Sequence, residues 1–134
     1  MAAAMAQTRI PYIISFVINR QGLILDGTGL ADAFLQIDQS VSPKSAGYMV
    51  NCAYPSFLKP ESQPASVFSR LIGFQANASS MDHSELNDSD HVQADPVSDW
   101  GDRMVALNRE YGVKILGGCC GTGRVHLDYI VDHI

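Results

Sequence analysis

With 134 residues, 46% of them hydrophobic, the chain is long enough for one ordinary domain with a packed core, which excludes an intrinsically disordered chain. A formal net charge of −5, with no cluster of Lys and Arg, excludes nucleic acid and anionic membranes as partners on electrostatic grounds. Three cysteines are an odd number, and the adjacent Cys119 and Cys120 are badly placed to pair with each other, so reduced thiols in a cytoplasmic setting are expected rather than a disulfide framework.

In chain order, residues 1–9 lack the basic start and long apolar centre of a secretory signal, and the longest apolar stretch, residues 10–18, is too short to span a bilayer. Residues 12–18 are a continuous apolar run bounded by Pro11 and by Asn19-Arg20-Gln21-Gly22, which predicts a buried strand. Asp26-Gly27-Thr28 offers capping side chains. Leu30, Ala33, Phe34, Ile37 and Val41 then fall at helical spacing and predict an amphipathic helix. Residues 47–51 predict a second strand, 65–70 a short helix that Pro60 and Pro64 keep from extending backwards, and 71–76 a third strand. Residues 77–96 are polar, acidic and Ser-rich without an apolar period, which predicts a long exposed loop. Trp100, Met104, Leu107 and Tyr111 recur at i, i+4, i+7 and i+11 and predict a helix that Gly112 stops. Residues 113–116 predict a fourth strand, and 125–134 a closing helix with Leu127, Ile130, Val131 and Ile134 on one face. Strand then helix, four times over, implies an α/β chain of parallel strands joined by crossovers.

The chemistry-bearing residues fall at predicted strand ends, Cys52 after the second strand and Cys119-Cys120 after the fourth. In parallel α/β architectures the carboxyl ends of the strands are where sites are built. Three thiols converging from two such ends leave a zinc ion one open position, the mark of a catalytic rather than a structural site. Successive strand side chains point to opposite faces, so Cys119 and Cys120 can share one ion only if the backbone leaves strand geometry, and Gly117, Gly118, Gly121 and Gly123 supply that freedom. Other readings stand beside this one. A free cysteine also serves as a small buried hydrophobe. A phosphate-binding turn at a helix N-terminus is a minor reading of the glycine run, which lacks the Lys and spacing of a P-loop. Asn51 either orients the site through its amide or forms a local turn. His83 and His91 in the acidic loop are read as solvated, and His126 as structural.

Gly117-Gly118-Cys119-Cys120-Gly121-Thr122, preceded by Asn51-Cys52 and Pro55, resembles the signature of the homocysteine S-methyltransferase family. Ser15-Phe16, Asp26-Gly27-Thr28, Asn77, Trp100 and His126-Leu127 extend the likeness over nearly the whole chain, whereas Gly73-Phe74-Gln75-Ala76-Asn77 departs from the Tyr-Pro-Asn usual at the third strand. The resemblance implies that Cys52, Cys119 and Cys120 are zinc ligands, that Asn51 lies at the substrate site, and that the substrates are homocysteine and a methyl donor. That donor is betaine, S-methylmethionine, S-adenosylmethionine or a folate, and the residues do not choose among them.

The family's barrel has eight strand–helix units and such barrels take roughly 250 residues. Residues 1–134 therefore resemble the C-terminal half of a (β/α)8 TIM barrel, a single partial domain holding the last four units. Such a half is expected to complete itself as a homodimer or with a separate N-terminal half. Catalysis is expected only in that completed state. The competing expectation is a non-catalytic zinc- or thiol-binding remnant without a substrate pocket.

Overall fold

The computed structural model describes residues 1–81 and 94–134, in which four strands lie side by side in one parallel sheet of order β1-β2-β3-β4. The strands are β1 (Ile13–Phe16), β2 (Gly47–Ala53), β3 (Leu71–Ala76) and β4 (Ile115–Gly118). Helix α1 (Ala2–Gln7) precedes the sheet, α2 (Leu30–Ser40) joins β1 to β2, and α3 (Ala65–Phe68) joins β2 to β3 after two 3-10 turns at Pro55–Leu58 and Pro60–Ser62. Helix α4 (Val97–Arg109) precedes β4, and α5 (Arg124–His133) follows it. This is the expected α/β chain of parallel strand–helix units, arranged like half of a (β/α)8 barrel.

Period-2 alternation sorts the sheet into two faces. Tyr48, Val50, Phe74 and Ala76 are fully enclosed under Leu30, Phe34, Trp100 and Met104 from the helices, and this is the core. Tyr48 stacks on Phe34 with ring centroids 4.0 Å apart. Its hydroxyl donates to Asp38 Oδ1 at 2.8 Å, and Arg70 donates to both oxygens of the same carboxylate at 2.9 Å and to the Ser45 carbonyl at 2.9 Å. The cluster ties α2 to the amino-terminal ends of β2 and β3. On the opposite face Ser15 and Gln75 are exposed, Met49 and Asn51 half-buried, and Ile13 and Ile115 are 38% and 44% exposed, with no helix over them among the described residues.

Several elements differ from their sequence expectations. The first strand ends at Phe16, because Asn19 Oδ1 accepts from the Gln21 and Leu23 N–H groups and folds Ile18 back onto Ile24 in an antiparallel bridge. Asp26 does not cap α2. Its Oδ1 accepts from Thr28 N–H at 2.9 Å, closing a local turn, and Gly29 stands at the N-cap. The second strand runs on to Ala53. The fourth is displaced towards the glycines, since Val113 is held back by its N–H to Leu107 O and by Asn108 Nδ2 on its carbonyl. Helix α1 was not anticipated, although its alanines favour it.

Helix α5 buries only His126 and Ile130, while Leu127, Val131 and Ile134 stand exposed, Val131 by 74%. The shared face expected for them has nothing to pack on among the described residues, because α5 lies at the edge of the sheet and meets α4 on its other side, where the Tyr129 ring fills the space that Gly101 leaves. Residues 82–93, with His83 and His91 and most of the expected 77–96 loop, lie outside the described residues. No helix among the described residues is long and apolar enough to cross a membrane.

Candidate metal centre

Strand β2 carries one residue too many for its partner. Asn51 pairs with Gln75 and Ala53 with Ala76, so Cys52 is the extra residue of a bulge, and its φ of +52° is left-handed, which is uncommon outside glycine. It lies within β2 rather than after it, a correction to the expected strand end. In regular alternation position 52 would share the helix-covered face with Tyr48 and Val50. The bulge turns its side chain towards the end of β4 instead, where Cys52 Sγ lies 2.7 Å from Cys119 Sγ.

The other two thiols sit in the turn after β4. Gly117 and Gly118 are strand residues, paired with Gln75 and Ala76, so the freedom expected from the glycine run is used only from Gly121, whose φ is +77°. The chain turns where Thr122 N–H donates to the Cys119 carbonyl at 3.2 Å and Thr122 Oγ1 to the same oxygen at 2.7 Å. Gly118 matters by its lack of a side chain, because a Cβ there would collide with Thr122. The turn brings Cys119 Sγ to 3.9 Å from Cys120 Sγ, the departure from strand geometry that two consecutive ligands require. All three Sγ atoms lie within 4.8 Å of one another, at the carboxyl end of the sheet.

Asn51 and Ser15 line the approach. Asn51 Nδ2 donates to Cys52 Sγ at 3.2 Å and Ser15 Oγ to Asn51 Oδ1 at 2.6 Å, so the amide is oriented from one side and points at sulfur on the other. Sequence reasoning gave Ser15 no such part, because the contact depends on the register in which Ser15 faces Met49, two residues before Asn51. Asn77, named only for the family likeness, was likewise given no part at the site, yet residues 76–78 join both cysteine-bearing segments. Cys119 N–H donates to Ala76 O, Asn77 N–H to Ala53 O, and Ala78 N–H to Cys120 O, at 2.7, 3.0 and 2.9 Å.

Burial, and then the hydrogen-bonded Cys52 beside it, push the Cys119 thiol above its usual pKa, and the neighbouring Cys119 charge does the same to Cys120. Three thiolates this close repel one another, so the cluster ionises fully only around a cation. The donor set fits zinc: sulfur is a preferred ligand, the three thiols are gathered within 4.8 Å, and three protein donors leave one coordination position open.

The model of the homocysteine S-methyltransferase family matches residues 1–134, the whole chain. No curated protein matches it.

Proposed function

The chain belongs to the homocysteine S-methyltransferase family, and on that premise we propose that Cys52, Cys119 and Cys120 hold a zinc ion at which the thiol of homocysteine is methylated to give methionine. The observation that carries the proposal is the convergence of three thiols, from the bulge in β2 and from the turn after β4, within 4.8 Å. Zinc bound there would supply a Lewis acid that favours a coordinated substrate thiol as its thiolate at neutral pH, where a free thiol of pKa near 8.5 is mostly protonated. Methyl transfer forms one S–CH3 bond and breaks the bond from methyl to the donor, whose electron pair leaves with the donor. The chain's own residues set the stage for this. The Asn51 amide, oriented by Ser15, donates to Cys52 Sγ and tempers its negative charge, and the Thr122 hydroxyl fixes the carbonyl of Cys119.

Residues 1–134 are read as one partial domain, and the sheet face bearing Ile13, Met49 and Ile115 is read as the inner wall of a barrel that a second set of strands completes. That set comes from a second copy or from a separate N-terminal half.

Metal analysis of protein purified under reductant tests the site, since a metal-free thiol cluster is open to oxidation. About one zinc per chain is expected, falling to none in Cys119→Ala and Cys120→Ala. Full zinc retention in a variant lacking all three cysteines sinks the proposal. A methyl-transfer assay with homocysteine and each donor class separates catalysis from the second reading, a zinc-binding domain without activity, which the lack of a cover over the inner sheet face among the described residues favours for the chain on its own.

A further inference from the structure

Two buried polar side-chain atoms, in the segments that flank the cysteine turn, have no hydrogen-bond partner among the described residues: Oδ1 of Asn77 and Nε2 of His126. The residues are only 4% and 5% exposed. Burying either atom unpaired forfeits its hydration with nothing in return, so an orphan of this kind asks for an explanation. The two are chemically complementary. His126 Nδ1 accepts the Gly123 N–H at 3.1 Å, and a ring that accepts at Nδ1 carries its proton on Nε2, so Nε2 is a buried donor. Oδ1 of Asn77 is a buried acceptor.

Trp100 touches both residues. Its Nε1 donates to the Asn77 carbonyl at 2.9 Å, and its ring meets the His126 ring edge-on at 4.9 Å between centroids. Neither residue contacts a thiol, but each holds one side of the cysteine turn. The backbone around Asn77 bonds to Cys119, to Cys120 and to Ala53 beside Cys52. His126 grips the far side through Gly123, since its own N–H returns to the Gly123 carbonyl at 3.0 Å.

We propose that Asn77 and His126 are positioning residues joined by one buried water, which accepts a hydrogen bond from the Nε2–H of His126 and donates one to Oδ1 of Asn77, and that this clamp fixes the spacing of the three thiols. A buried water needs two or more polar partners, which these atoms provide, and residues that orient metal ligands are worth roughly 10- to 100-fold in metal affinity. The inference rests on the three thiols forming one metal site.

The test has an arm that needs no metal. Long-range proton–nitrogen NMR of the 15N-histidine protein is expected to show His126 with its proton on Nε2 and in slow exchange with solvent. A proton on Nδ1, or exchange as fast as that of the exposed His133, overturns the proposal. The second arm measures zinc affinity by competition with a chromophoric chelator. His126→Asn keeps an acceptor where Nδ1 stood and removes the deep donor, and His126→Gln restores that donor. His126→Asn and Asn77→Leu are each expected to weaken zinc about 10- to 100-fold, the double variant no more than either alone, and His126→Gln much less. Unchanged affinity in the singles, or additive losses in the double, overturns the clamp. Were the wild-type chain to bind no zinc, the metal-site reading would fail while the NMR arm still decided whether the Nε2 proton is held.

Discussion

Single hydrogen bonds decide how well the thiol cluster is aimed. Ser15 is exposed and contributes little to packing, yet its hydroxyl is what turns the Asn51 carbonyl oxygen away from Cys52 and leaves the amide nitrogen towards sulfur. Ser15→Ala is therefore expected to lower zinc affinity by about tenfold in a chelator competition while leaving the thermal midpoint unchanged. The cysteines themselves were legible in the sequence, because thiols beside a glycine run advertise their chemistry. The parts of Ser15 and Asn77 at the site were not, although both residues belong to the family likeness. Their parts depend on which residues the sheet register sets side by side, and nothing local to either residue encodes that.

At the scale of elements, the cluster of Asp38, Arg70 and Tyr48 links α2 to the sheet. Burial would raise the Asp38 pKa, but hydrogen bonds from Arg70 and Tyr48 outweigh it and hold the carboxyl below its usual 3.8. A depressed folded-state value means the cluster stabilises the fold fully above the unfolded value and loses this contribution as pH falls through the lower, folded one. Urea unfolding should thus show the wild type losing stability below about pH 4 through this group. Asp38→Asn should be about 1–3 kcal/mol less stable at pH 7 and flatter across the acid range. Strand and helix order was readable from periodicity, since β3 has the expected bounds and α4 stops before Gly112, whose φ is +72°. Helix α5 shows where that signal ends: spacing tells which residues share a face, and only the tertiary neighbours tell whether anything covers it. The shift of β4 has a similar cause, because the Asn108 side chain that holds Val113 out of the strand acts across the turn.

For the whole molecule, the sheet is covered on one face and bare on the other among the described residues, and there its outer strands β1 and β4 each have an edge unpaired within the sheet. Bare apolar positions such as Ile13 and Ile115, together with open edges, favour association. Light scattering at micromolar concentration is expected to give twice the mass of a single chain, and a strictly single-chain mass across that range would refute self-association through this face. The two ends of the sheet also have separate duties. Thiols crowd the carboxyl end, while the Asp38 cluster ties down the amino end, so Asp38→Asn should lower stability with zinc stoichiometry intact.

The bulge at Cys52 makes the thiol cluster a matter of counting as much as of composition. Two residues of β2, Cys52 and Ala53, cover the step that β3 makes in one, from Gln75 to Ala76. Deleting Val50 or Asn51 keeps all three cysteines in the sequence, yet it removes the bulge and moves Cys52 into the register place of Asn51, opposite Gln75. Among descendants of this chain, replacements along β2 should thus be tolerated far more readily than changes in its length, and an inventory of cysteines alone would credit a metal site to chains whose spacing no longer builds one.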